Sequence, residues 1–443
     1  MTEISIEQIE QNFAEINPPL SQAEAVFEAN RCLYCYDAPC MHACPTHIDV
    51  SSFIKKIASG NLHGSARVIF DANPIGATCA RVCPVDVLCE GACVEKTLMD
   101  SPIQIGRLQR YATDYAMQSG KQIFQKGEAN GKSVGIIGSG PAGLSCATYL
   151  ARLGYAVTIY DKKSLPGGLD TYGMAEYKMP QAVSVAEAEQ VRNLGVSFQL
   201  ETEIIQNSKF KIQNSKQIGF DELENSHDAL FIGIGLGATR DLNVEGENLD
   251  GVIDALAFIE RIKTRDWQNV PIGKTVAVIG AGNTAIDAVT QAKRLGAERV
   301  LMIYRRTEKD ISAYDYEYEL AKKDGIEFVW QTSPVAVLGK GKVSGLKCRK
   351  TDGSEFEIAC DMVIKAIGQQ KQIEFFKNTG IEFNEKGQVA VNELMQTSNP
   401  KIFAGGDCVN GGAEAVDASQ MGKLAAQGIH LALTGESVKF AGA

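Results

Sequence analysis

The sequence predicts an α/β protein in which a helical, cysteine-rich N-terminal domain precedes two interleaved domains of parallel strands and helices. Three observations lead to this prediction. Eight of the twelve cysteines lie between residues 32 and 93. Apolar residues in that part of the chain recur at helical spacing. After residue 132 a buried strand, a glycine turn and a helix follow one another, and the same order of elements returns near residue 275.

The change of pattern along the chain suggests the domain boundaries. A length of 443 residues is too great for one ordinary domain. We expect a helical domain over residues 1–120, because "SFIKKIASGNLHGSARVIF" and "IGRLQRYATDYAMQ" carry apolar residues at helical spacing. The polar stretch "QSGKQIFQKGEANGK" is expected to be a linker. One of the two interleaved domains should occupy 132–245 and 369–443, and the other 246–368.

Composition and charge exclude several classes of function. The hydrophobic content of 44% is ample for packed cores, and the net charge of −10 gives no basic footprint for nucleic acid or an anionic membrane. The N-terminus lacks the basic and apolar regions of a signal peptide. No apolar stretch reaches the ~18 residues that a membrane span requires. We therefore expect a cytoplasmic protein with neither nucleic acid nor membrane as a partner.

The stretch "GSGPAG" predicts the first dinucleotide site, in a Rossmann-like unit. Gly138, Gly140 and Gly143 match G-x-G-x-x-G between a strand and a helix, where glycines permit a tight turn, close approach to a pyrophosphate and close helix–strand packing. The helix N-terminus then faces the phosphates with free N–H groups. Asp161 ends the next strand, where an acid accepts hydrogen bonds from a ribose. The candidate binding residues are Gly138, Ser139, Gly140, Pro141, Ala142, Gly143, Asp161 and Lys162.

Two further stretches indicate which dinucleotide binds there. "GGL" (Gly167 to Leu169) follows the second strand, and "FAGGD" ends at Asp407. Together they resemble the two-dinucleotide-binding flavoproteins. This resemblance implies FAD, with Asp407 holding its ribityl and phosphate part; the alternative is an ordinary turn or helix-capping aspartate. The additional candidates are Gly168, Leu169, Gly406, Asp407, Ala415 and Val416.

"GAGNTA" predicts a second dinucleotide site, in the G-x-G-x-x-A form. Its second strand ends in Arg305 and Arg306, where an NAD site would carry an acid. Arginine donates in a fork to phosphate oxygens, which favours NADPH. Arginines that only solvate a strand end are the alternative, and NADH is not excluded. Asp287 is expected to be a surface acid. The candidates are Gly280, Gly282, Asn283, Thr284, Arg305, Arg306, Ala366 and Gly368.

The cysteines indicate where electrons would go from such a pair of sites. Residues 120–443 contain no C-x-x-C, which excludes a disulfide reductase. The eight clustered cysteines form two bursts, Cys32 to Cys44 and Cys79 to Cys93. The first burst reads C-x2-C-x4-C-x3-C-P, which is close to a ferredoxin pattern in which the fourth cysteine serves the other cluster. Zinc is the alternative, because thiolates suit both; the adjacent flavin favours iron–sulfur clusters. The four scattered cysteines, Cys146, Cys348, Cys360 and Cys408, are expected to be small buried hydrophobes.

A more specific resemblance covers nearly the whole chain. "EANRCLYCYDAPCMHACPTHIDVSSFI", "NPIGATCARVCPVDVLCEGAC" and "PIQIGRLQRYATDY" resemble the N-terminal half of dihydropyrimidine dehydrogenase and its separate bacterial flavin subunit. The resemblance implies two 4Fe–4S clusters. By position, Cys32, Cys35, Cys40 and Cys93 would bind one; Cys44, Cys83, Cys89 and the side chain of Gln109 would bind the other. Cys79 would be a spare thiol.

This chain departs from the family at two positions. "GMAEYKMP" stands where relatives read Ile-Pro, and it places Lys178, a further cofactor-binding candidate, where arginine is frequent. Ser312 replaces a basic residue that follows the arginine pair in NADPH-using relatives, which weakens the preference for NADPH.

The resemblance implies an electron-input subunit. Electrons from NAD(P)H would pass through FAD and the clusters to an FMN- and iron–sulfur-containing partner that reduces uracil or thymine to the 5,6-dihydro form, in a hetero-oligomer. No catalytic side chain is expected, because the cofactors carry the chemistry. The alternatives are the small subunit of glutamate synthase, which "GATRDLNVEGENLDGV" resembles, a free-standing NAD(P)H:acceptor reductase, and a non-catalytic zinc scaffold.

Overall fold

The computed structural model describes residues 5–206, 216–264, 267–377 and 379–442. Its first part is helical, as the sequence predicts. The helices are α1 Ile6–Asn12, α2 Gln22–Arg31, α3 Pro39–His42, α4 Val50–Ala58, α5 Leu62–Ala72, α6 Gly76–Val82, α7 Val94–Met99 and α8 Ile105–Ser119. Local sequence explains their ends. Ser21 forms a capping box with Glu24 at the start of α2, and Gly120, in the left-handed region at φ +63°, ends α8.

Alternating strands and helices follow residue 132. The first set is β1 Ser133–Ile137, α9 Pro141–Arg152, β2 Ala156–Tyr160, α10 Leu169–Tyr172, α11 Gln181–Arg192, β3 Ser197–Gln199, β4 Glu203–Ile205, β5 Gln217–Gly219, α12 Phe220–Ser226 and β6 Ala229–Ile232. The second set is β7 Val252–Asp254, α13 Ala255–Lys263, β8 Thr275–Ile279, α14 Asn283–Arg294, β9 Arg299–Ile303, α15 Asp315–Lys323, β10 Glu327–Val329, β11 Thr332–Lys340, β12 Lys342–Lys350, β13 Glu355–Ile358 and β14 Met362–Lys365. The chain continues with β15 Ile402–Ala404, α16 Asp407–Asn410 and α17 Ala415–Thr434.

The elements form two compact units. The larger unit comprises Asn17–Thr171, Ala182–Leu236 and Lys371–Ala443, and the smaller unit comprises Met1–Ile16, Tyr172–Gln181 and Gly237–Gln370. The larger unit therefore contains all eight clustered cysteines together with the first glycine turn.

The larger unit is built on a parallel sheet with strand order β15–β6–β1–β2–β3. Strands β3–β2–β1 follow the order of one half of a Rossmann sheet, and β6 and β15 extend the sheet beyond β1. Helices α9 and α17 pack closely beside it. A Cβ added at Gly422 would lie 2.2 Å from the carbonyl oxygen of Ala142, so only glycine permits this approach.

The predicted linker is packed against the larger unit. The ring of Phe124 lies 5.3 Å from the guanidinium carbon of Arg67 and 4.1 Å from that of Arg152. Ile123 is buried, and the N–H of Gly127 donates to the carbonyl of Ala151. The stretch connects α8 to β1 without helix or strand, and its two apolar side chains pack on the neighbouring helices.

The smaller unit is built on a second parallel sheet, with strand order β10–β9–β8–β14–β7. It also contains an antiparallel sheet, β11–β12–β13, that our sequence analysis did not anticipate. Phe13, just after α1, stacks on Trp267 with ring centroids 5.4 Å apart. The N-terminal residues of the chain thus complete the core of this unit.

The four scattered cysteines are buried, as predicted. Each lies among apolar side chains of a core. In the part of the chain that the structure describes, no helix combines the length and the apolar character needed to cross a bilayer.

Candidate functional site

Four cysteines from both sequence bursts line one pocket in the larger unit. Cys32 follows α2, Cys40 lies in α3, and Cys93 precedes α7. The pocket walls are mainly apolar. Its lining includes Cys32, Cys35, Cys40, Cys93, Ala38, Val50, Ile54, Ile103 and Ile105. We call the four cysteines the first thiol group; they are the four that the resemblance assigns to one cluster.

The first thiol group has the chemistry of a cluster site. Burial raises the pKa of Cys40 to about 12, and the neighbouring Cys93 and Cys32 thiols add to the shift. Burial likewise raises the pKa of Cys32, with Cys93 and Cys35 contributing. Four close thiols in apolar surroundings cannot all ionise unless a cation compensates them, and a bound metal deprotonates such thiols. This donor set therefore fits an iron–sulfur cluster.

A second thiol group consists of Cys44, Cys83 and Cys89. The hydrogen bond that the Cys83 thiol donates to Cys79 is the largest cause of the raised pKa of Cys83, followed by burial and by the charges of neighbouring thiols, including Cys89 and Cys44. Burial and the charges of Glu90 and Cys44 raise the pKa of Cys89. This group also takes members from both bursts.

Gln109 is anchored near the helix that leads to Cys83. Its side chain is buried, and its Nε2 donates to the carbonyl of Gly76 at 2.7 Å. Gly76 begins α6, the helix that carries Cys79 and ends before Cys83. The assignment of Gln109 as a cluster ligand stays a prediction, and its place beside α6 is compatible with it.

The thiol groups differ from a single-ion site. Across residues 5–206, 216–264, 267–377 and 379–442, no three histidine, cysteine, aspartate or glutamate side chains are arranged to hold one metal ion. Iron–sulfur clusters instead take their thiolates around a multi-iron core.

The first glycine turn has the geometry of a phosphate-binding loop. Gly138 has φ +99°, and a Cβ there would lie 2.4 Å from the carbonyl oxygen of Gly233. A Cβ at Gly143 would lie 2.0 Å from the carbonyl oxygen of Gly138. At Gly140 the nearest atom is 4.0 Å away, the Cα of Gly168. The turn is thus tight where the chain packs on itself and open where a pyrophosphate would approach.

Two of the other first-site candidates, Gly168 and Gly406, lie against this turn. The N–H of Gly167 donates to the carbonyl of Ser139 at 3.0 Å, and a Cβ at Gly406 would lie 3.3 Å from that of Ala142. The chain after β15 therefore meets the beginning of α9. Pro141 opens α9, Leu169 opens α10, Ala415 and Val416 open α17, and Lys162 is exposed after β2.

The two candidate aspartates of the first site differ in their surroundings. The carboxylate of Asp161 accepts from the N–H of Ser139 at 2.8 Å and from its hydroxyl at 2.5 Å, and also from the N–H of Lys163 at 2.9 Å. Asp161 therefore fixes the glycine turn. Burial raises the pKa of Asp407, and the charges of the nearby Glu414 and Asp417 carboxylates raise it further. A carboxylate in this position favours hydrogen-bond donors from a ligand.

The second glycine turn lies in the smaller unit. Gly280 has φ +135°, and a Cβ there would lie 2.1 Å from the carbonyl oxygen of Ala366. Asn283 begins α14, and its Oδ1 accepts from the N–H of Tyr314 at 3.2 Å. Ala366 thus meets the turn directly. Gly282 precedes α14 and Thr284 lies in it, whereas Gly368 is in an exposed turn.

The arginine pair after β9 is exposed. Within the described residues neither guanidinium takes part in a salt bridge, so both are available for a ligand phosphate. Ser312, at the position that is basic in some relatives, donates from its N–H and hydroxyl to the carbonyl of Ala281. Its role is to hold the loop against the glycine turn.

Lys178 lies in a buried ionic network of the smaller unit. Its Nζ is 2.5 Å from Asp287 and 2.6 Å from Glu317, and the three side chains are each at most 8% exposed. The Tyr177 hydroxyl donates to Asp287 at 3.3 Å. Burial alone would lower the pKa of Lys178, but Asp287, with Tyr177 and Glu317, outweighs it and raises the pKa. The expectation that Asp287 lies on the surface is therefore wrong, because its ion pair with Lys178, 109 residues away in sequence, stabilises it in the core.

Family models match both parts of the chain. Residues 132–422 match the family described as pyridine nucleotide-disulphide oxidoreductase. Residues 9–121 match the model described as dihydropyrimidine dehydrogenase domain II, 4Fe-4S cluster. The predictions of FAD, NAD(P) and 4Fe–4S clusters are confirmed by these matches, and the zinc alternative is wrong.

Two named relatives align with almost the whole chain. The NADPH glutamate synthase small chain of Escherichia coli K12 is 35% identical, over 94% of this chain and 93% of the relative. The NAD-dependent dihydropyrimidine dehydrogenase subunit PreT of the same organism is 33% identical, over 96% of this chain and 98% of the relative.

Solved structures share the fold of the dinucleotide-binding part. Thioredoxin reductase of T. acidophilum superposes with a TM-score of 0.55 at 24% identity, over 68% of this chain and 98% of that chain. FprA of Mycobacterium tuberculosis, in complex with NADPH, superposes with a TM-score of 0.54 at 18% identity, over 70% of this chain and 87% of that chain.

Proposed function

We propose that this chain, which belongs to the pyridine nucleotide-disulphide oxidoreductase family, is the electron-input subunit of a dihydropyrimidine dehydrogenase. It would take electrons from NAD(P)H and deliver them to a partner subunit that reduces uracil or thymine. The observation that carries the proposal is the combination found in the larger unit: two thiol groups and a flavin-type glycine turn occur in one compact body.

The cofactors would be held by separate sets of residues. The first thiol group would bind one 4Fe–4S cluster, and the second thiol group with Gln109 would bind the other. The turn at Gly138–Gly143 and the Asp407 carboxylate would hold FAD, while the turn at Gly280 and the pair Arg305 and Arg306 would hold NAD(P)H. When bound, the flavin can take up a hydride and the clusters can carry single electrons.

The protein's own residues position these groups. Asp161 fixes the first turn through Ser139, and Ala366 limits the second turn to glycine at position 280. The walls of the first thiol pocket place mainly apolar side chains around the sulfurs. No side chain needs to act as an acid or base on the pyrimidine, because its reduction belongs to the partner.

The pyrimidine assignment draws on three observations. The relative PreT is named as a subunit of NAD-dependent dihydropyrimidine dehydrogenase, and the matched N-terminal model is named for dihydropyrimidine dehydrogenase. In addition, Gln109 lies buried beside α6, where the resemblance requires a ligand.

A second candidate is the small subunit of a glutamate synthase. The 35% identity to such a chain supports it, as does the "GATRDLNVEGENLDGV" stretch noted above. In that case the partner would use glutamine and 2-oxoglutarate.

The experiment is an anaerobic affinity purification of the tagged chain from its own cells. NADH and NADPH oxidation is then assayed with uracil, and separately with glutamine plus 2-oxoglutarate. We expect uracil-dependent oxidation that is lost when the co-purifying subunit is removed. Oxidation that responds to glutamine plus 2-oxoglutarate, and not to uracil, would assign the chain to the second candidate.

Two variants test the route of the electrons. Cys89→Ala should abolish uracil-dependent oxidation while oxidation with an artificial flavin acceptor continues. Cys360→Ala, which alters a buried thiol of the smaller unit, is the control and should retain both activities. Equal loss of uracil-dependent activity in the two variants would contradict a cluster-specific role.

A further inference from the structure

Lys423, in α17 of the larger unit, is fully buried. Its side chain is 0% exposed. Its Nζ donates to the carbonyl oxygens of Thr46 and Ala441, each at 3.0 Å. The ammonium also lies 5.9 Å from the centroid of the Tyr149 ring. Two neutral carbonyls and an aromatic face thus surround a full positive charge.

No carboxylate among the described residues lies within ion-pair distance of this ammonium. Among the described residues Lys423 forms no salt bridge, whereas the buried Lys178 and Lys263 each contact a carboxylate within 3.1 Å. A buried cation without an anionic partner is strongly disfavoured. Accordingly, burial lowers the pKa of Lys423 to about 8, while the charges of Cys44 and Asp71 act in the opposite direction.

The second thiol group, through Cys44, is one source of negative charge near Lys423, and Asp71 is the other. Lys423 holds the backbone of Thr46, two residues after Cys44, and the Thr46 hydroxyl lies 3.4 Å from the Cys44 sulfur. Helix α17 packs on the first glycine turn at the residue before Lys423, because a Cβ at Gly422 would lie 2.2 Å from the carbonyl oxygen of Ala142. One helix therefore connects the flavin turn to the loop that carries Cys44.

We propose that Lys423 is a positioning residue whose ammonium compensates the negative charge of the cluster bound by the second thiol group and favours its reduced state. This inference rests on the cluster assignment of the proposed function. A cluster with thiolate ligands is anionic, and reduction adds one more negative charge. A fixed cation nearby therefore stabilises the reduced form more than the oxidised form. Lys423 would thus favour electron transfer onto this cluster.

The test is a redox titration of the purified full-length chain, followed by electron paramagnetic resonance. Lys423→Gln retains hydrogen-bond donors for the two carbonyls but removes the charge, and Lys423→Arg retains the charge. At a fixed potential, Lys423→Gln should lower the ratio of reduced to oxidised cluster about tenfold for one of the two clusters. For a one-electron couple this equals a shift of about 59 mV. Lys423→Arg should remain close to the wild type.

Controls separate charge from packing. Lys263→Gln removes a buried lysine of the smaller unit and should leave both cluster potentials unchanged. The inference would be overturned by unchanged potentials in Lys423→Gln, by equal shifts in both clusters, or by the same shift in Lys423→Arg. If Lys423→Gln loses one cluster while Lys423→Arg keeps both, as iron content shows, the charge is required. Loss in both variants would overturn the inference.

This titration needs neither uracil nor a partner. A wild-type chain without two iron–sulfur signals would refute the proposed function itself. Two normal signals that do not respond to the charge at position 423 would refute only the role of Lys423.

Discussion

Glu187 is predicted to make the stability of the larger unit depend on pH. This side chain lies on α11 and is buried. Its carboxylate accepts from the N–H of Ala77 at 2.6 Å, the N–H of Thr78 at 3.1 Å and the Thr78 hydroxyl at 2.5 Å. It therefore caps α6, the helix that leads to Cys83, from 110 residues away in sequence.

The sign of the effect follows from the protonation equilibrium. Burial raises the pKa of Glu187 from its ordinary value of 4.5 to about 7, although the hydrogen bonds from Thr78 and Ala77 and the charge of Arg81 act against it. Because the pKa is raised in the folded state, the stabilising contribution is fully present below pH 4.5. It is lost as the pH rises through about 7. The shift corresponds to up to about 3 kcal/mol.

The assay compares thermal unfolding of Glu187→Gln and the wild type from pH 5 to pH 8 under anaerobic conditions. The amide keeps the acceptor oxygen but cannot ionise, so the variant should gain stability relative to the wild type as the pH rises. We expect the difference in Tm to change by about 5–10 °C over this range. Glu189→Gln, an exposed site on the same helix, is the matched control and should show no such trend. A pH-independent difference between Glu187→Gln and the wild type would refute the reasoning.

Three further predictions concern the other sites. Lys178→Met should lower the free energy of unfolding of the smaller unit by about 3–5 kcal/mol, measured by chemical unfolding, because it leaves two buried carboxylates without their cation. A decrease in this free energy of less than about 1 kcal/mol would contradict the prediction. Gly140→Ala should preserve the circular dichroism of the chain, since the atom nearest to the added methyl group would be 4.0 Å away. It should lower the amount of bound flavin at least about tenfold, because the methyl group occupies the space that a pyrophosphate needs. Full flavin content would contradict the assignment of this site. Replacing Arg305 and Arg306 together by serine should raise KM for NADPH about tenfold or more and change KM for NADH little. Equal effects on the two KM values would show that the pair does not bind the 2′-phosphate.

The sequence was most informative where the chemistry is local. Gly138 and Gly280 are specified by neighbours within a few residues, because a strand, a tight turn and a helix impose glycine at fixed spacing. The helical N-terminal domain could be predicted for the same reason, from apolar spacing within single helices. The grouping of the cysteines required the family resemblance, since spacing alone also permits zinc.

The rest depends on contacts that sequence patterns do not encode. Asp287 has the pattern of a surface acid, and its ion pair with Lys178, 109 residues earlier, accounts for its burial. Glu187 gave no signal because its partners are backbone N–H groups of a distant helix. Phe124 lies in a polar stretch, and its packing against Arg67 and Arg152 follows from the tertiary fold.

The composition of the thiol groups has a consequence for how the protein matures. Each group draws members from both bursts, so the first donor set is complete only after Cys93 has been synthesised, and the second, with Gln109, only after residue 109. Each bound cluster would then close a loop of the chain, and the two loops overlap along the sequence. Loss of one cluster would loosen both cysteine-bearing segments, and these segments also carry the ligands of the other cluster. Cluster insertion and loss should therefore occur as coupled events, and a half-loaded chain should be short-lived.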